Sequence, residues 1–162
     1  MSIVLCYASS GIALMASDGL VVDMNNNPVK ESMKKIRHLK SDVLIGYAGN
    51  LNLCLDIVGR IGDNFNFEQT YDFIQRSIPL QNSCDKRSFI VCGLSKSNLM
   101  SMYTVSYTEA PKIYCAKDFP VYSGLYPDDF PKNDIFKKNI LKYGPKKGME
   151  QTIKYYSIHS KS

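Results

Sequence analysis

Short apolar blocks punctuated by turn residues run through the first third of the chain. Ile3 to Ala8 and Gly11 to Ser17 read as strands rich in Ile, Val, Leu and Tyr, joined by a hairpin turn at Ser9-Ser10-Gly11. Asn25-Asn26-Asn27-Pro28 reads as a loop from its breakers. Lys35 to Leu39 and Val43 to Ala48 give a second strand pair around Lys40-Ser41-Asp42. From Leu51 the period changes, because Leu51, Cys54, Leu55, Val58 and Ile61 fall at helical spacing and Gly62 stops the run. A second helix holds Tyr71, Phe73, Ile74 and Ile78 and ends before Pro79. Strands resume over Ser88 to Leu94, Leu99 to Tyr107, Lys112 to Ala116 and Val121 to Ser123, followed by helices over Asn133 to Tyr143 and Met149 to Ser160, separated by Gly144-Pro145. Strands, a helix pair, strands and a helix pair make an α+β plan in which two antiparallel sheets can lie between helical layers.

Length and composition narrow the classes without changing that plan. The 162 residues are one domain's worth, 1–162 undivided, and the apolar runs fall short of the ~20 residues of a membrane span. No basic flank and cleavage site mark a secretory signal at the start. Cys6, Cys54, Cys84, Cys92 and Cys115 are odd in number and far apart, without a CxxC pair, so free thiols in a reducing cytoplasm are expected rather than a disulfide framework or a metal site. The net charge of +5 is spread over lysines that form no nucleic-acid-binding motif, so a solvated surface is expected.

The chemistry lies in order and spacing. Ser2, Asp18, the Lys34-Lys35 doublet and Tyr47-Ala48-Gly49 fall at the start of the first strand, the end of the second, the start of the third and the end of the fourth. This succession resembles the β-type subunits of the proteasome and the bacterial HslV protease, which are N-terminal nucleophile hydrolases. The resemblance covers essentially the whole chain and is best over Ser2 to Gly49. It implies a four-layer αββα sandwich, and a version of it short of the last strands, since the family adds a further strand pair beyond the region of Ser162. It also implies peptide-bond cleavage by the threonine-protease-type mechanism with serine as nucleophile, inside stacked rings of identical or homologous subunits. Unfolded protein or peptide is the implied substrate, an ATP-dependent unfoldase or regulatory particle the implied partner, and the cytoplasm, with the nucleus in a eukaryote, the implied location. No cofactor, nucleic acid or membrane is implied.

Residue by residue, the resemblance gives Ser2 the nucleophile's role once Met1 is removed, its own α-amine acting as base; such an amine titrates near about 7.7–8.0. Lys35 is implied beside it, favouring the ionised hydroxyl, with Asp18 pairing Lys35. Alternation makes Lys34 the outward-facing member of the doublet. Gly49 is implied as an oxyanion donor at a strand-to-helix turn. Ser123, in Tyr122-Ser123-Gly124, sits where the family has a Gly-Ser-Gly turn near the nucleophile, and His159 and Ser162 align with its Asp-x-x-Ser. Val21, Met33, Tyr47 and Leu51 are implied to line an apolar substrate pocket. Four features depart from the family: serine replaces threonine, Leu20 stands where many members carry arginine, Gly49-Asn50-Leu51-Asn52-Leu53 replaces the small-small-x-x-Ala-Asp pattern that begins its first helix, and His159 replaces an aspartate. Two alternatives stand beside the peptidase: a catalytically inactive structural subunit, and an N-terminal nucleophile amidohydrolase for a small amide.

Overall fold

The computed structural model describes residues 3–18, 21–22, 28–30, 35–78, 87–107, 109–126 and 134–159. In chain order these form β1 (Val4–Ser9), β2 (Ile12–Ser17), β3 (Val21–Val22), β4 (Pro28–Lys30), β5 (Ile36–His38), β6 (Leu44–Gly49), α1 (Leu51–Gly59), α2 (Phe67–Ser77), β7 (Arg87–Leu94), β8 (Met100–Ser106), β9 (Lys112–Cys115), β10 (Val121–Leu125), α3 (Asp134–Tyr143) and α4 (Pro145–His159). Two antiparallel sheets carry the fold, one in the order β10-β1-β2 and one in the order β5-β6-β7-β8-β9, and β3 and β4 form a separate ribbon.

The period-two alternation of the strands divides the core into three parts. On β7, Phe89 and Val91 face a cluster with Cys54, Ile57 and Val58 of α1 and Phe67 and Ile74 of α2. Ile90 and Cys92 point the other way, into a cluster with Val4, Cys6 and Ala8 of β1. The opposite face of β1, carrying Leu5 and Tyr7, meets Phe136 of α3 and Met149 and Tyr156 of α4. The sheets approach closely where Gly46 lies. A Cβ there would stand 2.6 Å from Val4 Cγ1 and 2.9 Å from Ile90 Cγ2 and Met15 Sδ, so only a bare backbone fits.

Several element ends differ from the sequence expectation for identifiable reasons. Helix α1 stops at Gly59, with Arg60 as C-cap, although the apolar period runs on to Ile61. Arg37 of β5 donates to the carbonyls of Val58 and Ile61, and the chain turns there while still burying Ile61. Helix α2 starts at Phe67 behind a capping box, in which Asn66 accepts from the Gln69 N–H at 2.8 Å and Gln69 accepts from the Asn66 N–H at 2.9 Å. Helix α4 begins at Pro145, not Met149. Gly144, at φ +85°, closes α3 with its N–H on the Ile140 carbonyl at 2.8 Å, and proline then opens the next helix. Gly148 is where the two helices touch, since a Cβ would meet the Asn139 carbonyl oxygen at 2.8 Å. Pro28 opens β4 rather than ending a loop, while Asn25 to Asn27, Pro79, Asn133 and Ser160 lie outside the described residues. Cys6, Cys54 and Cys92 are buried free thiols and Cys115 is an exposed one; Cys84 lies outside the described residues.

Candidate functional site

Three segments meet where the two sheets come together at one end. The β1–β2 ladder runs on past its last pair, Val4 opposite Ser17, through the Asp18 N–H, which donates to the Ile3 carbonyl at 3.3 Å. From the other sheet, Lys35 extends the β5–β6 ladder by one residue, its carbonyl accepting from the Tyr47 N–H at 3.1 Å. The Lys35 N–H reaches across to Ser17 Oγ at 3.4 Å. The backbone of Lys35 is thereby held between the ends of both sheets.

Its side chain does the same. Lys35 Nζ lies 3.8 Å from Asp18 Oδ1, with the two side chains 7% and 12% exposed. Burial depresses the pKa of the ammonium below the ordinary lysine range, outweighing the opposite pull of Asp18 and Cys54. Along β6 and β7, Tyr47, Gly49 and Arg87 occupy the same face of the sheet, Gly49 directly opposite Arg87, and this is the face that α1 covers. Cys54 enters from α1, its thiol donating to the Ala48 carbonyl at 3.5 Å. Burial pushes that thiol up to about 11, against Arg87, a backbone hydrogen bond at Ser88 and Lys35, all of which lower it. Burial, and then Cys54, also raise the Tyr47 phenol.

Gly49 has φ +109°, a left-handed conformation that favours glycine, and it turns the chain from β6 straight into α1. Asn50 caps that helix, accepting from the Leu53 N–H at 3.2 Å, and the helix carries no acid in its first turn. Leu51 opens α1 partly buried against the α1–α2 cluster, and Tyr47 is 5% exposed within the same cluster.

Asp18, Lys35, Tyr47, Gly49 and Leu51 thus belong to one corner of the molecule. Ser123 does not sit in the row that runs out to Asp18. It lies within β10 opposite Cys6, whereas Leu125 is the β10 residue in the row of Val4 and Ser17. His159 is the last residue of α4 and Val21 the first of β3, while Ser2, Met33 and Ser162 lie outside the described residues, as do Leu20 and Lys34. Sequence reasoning passed over Ser17, Cys54 and Arg87. Cys54 reads as one more apolar position on the α1 face and Arg87 falls just before the expected strand. Ser17 carries a signal, since a polar residue at a strand end shares the alternating face of Ala13 and Met15.

No protein-family model matches the sequence, and no curated protein does. Among solved structures the chain is similar to the Anbu (ancestral beta-subunit) of Yersinia bercovieri, with a TM-score of 0.55 and 12% identity, over 87% of this chain and 65% of that one. It is similar to the eukaryotic HslV of Trypanosoma brucei, with a TM-score of 0.57 and 15% identity, over 87% of this chain and 78% of that one. The Gly-1 mutant of Anbu from Hyphomicrobium sp. strain MC1 gives 0.57 and 13%, over 88% and 66%. The chain therefore spans about two thirds of the length of the Anbu subunits. At these identities the likeness is one of fold: a mixed α/β chain whose described residues form two larger antiparallel sheets, a two-stranded ribbon and four helices, and whose neighbours have the proteasome-like fold.

Proposed function

We propose that this chain is a proteasome-like peptidase subunit, built as a four-layer αββα sandwich, that cleaves peptide bonds through Ser2 as its N-terminal nucleophile. The observation that carries the reading is the buried Lys35–Asp18 ion pair, joined through the Asp18 N–H to Ile3, in a chain whose fold neighbours include HslV and Anbu. In this reading the Ser2 α-amine takes the hydroxyl proton as the oxygen attacks the scissile carbonyl, and the Lys35 ammonium lowers the energy of the developing alkoxide. The Gly49 N–H and the positive end of α1 stabilise the tetrahedral oxyanion. Collapse breaks the C–N bond, the proton passes to the departing amine, and an ester on Ser2 remains for water to hydrolyse. His159 and Ser162, which align with the family's Asp-x-x-Ser, support the α-amine, whereas Ser123, opposite Cys6, stands too far along β10 to do so. Val21, Met33, Tyr47 and Leu51 accept an apolar side chain before the cut. Subunits assemble into stacked rings in the cytoplasm, fed with unfolded protein by an ATP-dependent partner.

A peptide epoxyketone probe tests this, because it needs both a hydroxyl and a neighbouring amine on one residue. The expected adduct maps to Ser2 by mass spectrometry, and intact mass reports whether Met1, which blocks the amine, is gone. Lys35→Met is expected to slow cleavage of a short apolar peptide by about 100- to 1,000-fold, the scale of losing one charge-stabilising group, while Lys34→Met leaves it unchanged. Labelling elsewhere, no labelling of a chain that begins at Ser2, or equal activity in the two variants overturns the mechanism.

A further inference from the structure

The positive charge of the chain is not evenly distributed. Residues 127–162 contain eight lysines and four carboxylates, against twelve cationic and eleven acidic residues in 1–126, so nearly all of the +5 surplus lies in the last 36 residues. In the structure these residues include the α3–α4 hairpin, on which Lys137, Lys138, Lys142, Lys146, Lys147 and Lys154 are all exposed. Among the described residues no carboxylate forms an ion pair with any of them.

The charges are held on a rigid support. Gly148 lets the helices touch, and Asn139 Nδ2 donates to Thr152 Oγ1 at 3.0 Å in the seam between them. At the tip, Lys142 and Lys147 bring their ammonium groups to 5.2 and 5.5 Å from the Tyr143 ring centre. The first turn of α4 has Lys146 and Lys147 and no acid, so its side chains add to the positive end of the helix dipole instead of offsetting it. A shallow, open depression lined by Tyr143, Gly144, Pro145, Lys146, Lys147 and Glu150 lies at this tip. Beside it Leu141 is 79% exposed, one turn beyond Lys137 and Lys138 and next to Lys142.

We infer that the outer face of the α3–α4 hairpin docks an acidic segment of a partner protein, one that carries an apolar side chain among its carboxylates. Charge complementarity selects an anionic partner. Leu141 supplies the apolar contact, which gives register that charge alone lacks. A nucleic acid fits this face less well: it has no arginine, the Tyr143 ring is taken up by two ammonium groups, and Glu150 repels a continuous line of phosphates. An anionic membrane fits less well too, because the strongly exposed apolar residues, Leu141 and Ile158, lie on different helices rather than forming one apolar face.

The test uses fluorescence anisotropy with a labelled peptide of Glu-Glu-Leu repeats and the full chain. Binding is expected, weakening at least about tenfold between about 50 mM and about 500 mM salt as the charges are screened. Lys142→Gln with Lys147→Gln is expected to weaken it about tenfold, and Leu141→Ser about threefold while leaving the affinity for a Glu-Glu-Ser peptide unchanged. All three side chains are exposed, so unchanged circular dichroism is expected of each variant. Equal binding of a Gln-Gln-Leu peptide, or no effect of the double lysine variant, overturns the inference. Tighter binding of oligothymidylate or of phosphatidylserine vesicles at the same ionic strength also overturns it, in favour of that class.

Discussion

Removing Asp18 should destabilise the protein more than removing Lys35, and removing both should cost least. At 3.8 Å, the Nζ–Oδ1 separation, unit charges at an effective dielectric of about 20 attract by about 4 kcal/mol before desolvation is subtracted. The depressed pKa of Lys35 means that burying its charge costs more than this attraction returns. Asp18→Asn therefore leaves a nearly buried ammonium with less compensation and is expected to cost about 3 kcal/mol. Lys35→Met removes the expensive charge and keeps the stem's packing, leaving a carboxylate at a site that still reaches solvent, for about 1–2 kcal/mol. The double variant should fall within about 1 kcal/mol of the parent, a coupling of about 3–5 kcal/mol. Urea unfolding followed by circular dichroism gives all three values. The pH dependence supplies a second check. Between the lowered native pKa and about 10.4 the unfolded chain binds more protons at Lys35 than the native one, so unfolding free energy rises with pH across that window. The Asp18→Asn deficit should accordingly shrink on the alkaline side. Single effects that add to within about 0.5 kcal/mol would show that the two charges do not feel one another, and the argument from the pair would fail.

Cys54 should act in the opposite direction: with its native pKa at about 11 against an ordinary 9.0, the chain loses stability on the order of 3 kcal/mol as pH climbs through that interval, and the loss should vanish in Cys54→Ala when urea midpoints are compared at the two ends. Gly46→Ala should lower the melting temperature markedly, since its Cβ meets Val4 at 2.6 Å and the sheets must part to admit it, at about 1–3 kcal/mol; an unchanged melting temperature would mean that the seam is loosely packed.

Much of the fold was legible because alternation and helical spacing are local. The β1–β2 hairpin and the β5–β6 pair follow from apolar runs and their turns, and α1 from the spacing of Leu51, Cys54 and Val58. What local pattern could not give is the identity of the face each residue presents. Ile90 and Val91 look alike in sequence, yet one meets β1 and the other meets α1 and α2. Gly144-Pro145 reads as a separator for the same reason: the proline in fact begins a helix, and Gly148 within that helix makes room for α3, roles that only the pairing of the two helices reveals. At the site, Asp18 and Lys35 were legible as strand-end charges. The inward placement of Cys54 and Arg87 around them was not, because it depends on α1 lying over the β6–β7 edge.

The energetics of the Lys35–Asp18 pair bear on what the pair is for. A corner in which the Lys35 backbone donates to the Ser17 hydroxyl and accepts from the Tyr47 N–H already fastens the two sheets without any charge. Apolar residues of the same volume would fill it at little or no loss, because two nearly buried charges rarely return their desolvation cost. The fold therefore supplies no reason for an ammonium and a carboxylate at this point. The proposed cleavage gives one: in that reaction an ammonium already stripped of water loses less to reorganisation when a negative charge develops beside it, and a carboxylate holds it in place until that happens. If the double variant proves as stable as the parent while losing cleavage, the pair belongs to the reaction and not to the architecture. The same comparison separates a peptidase from a structural subunit of identical fold, in which Asp18→Asn with Lys35→Met would change neither property.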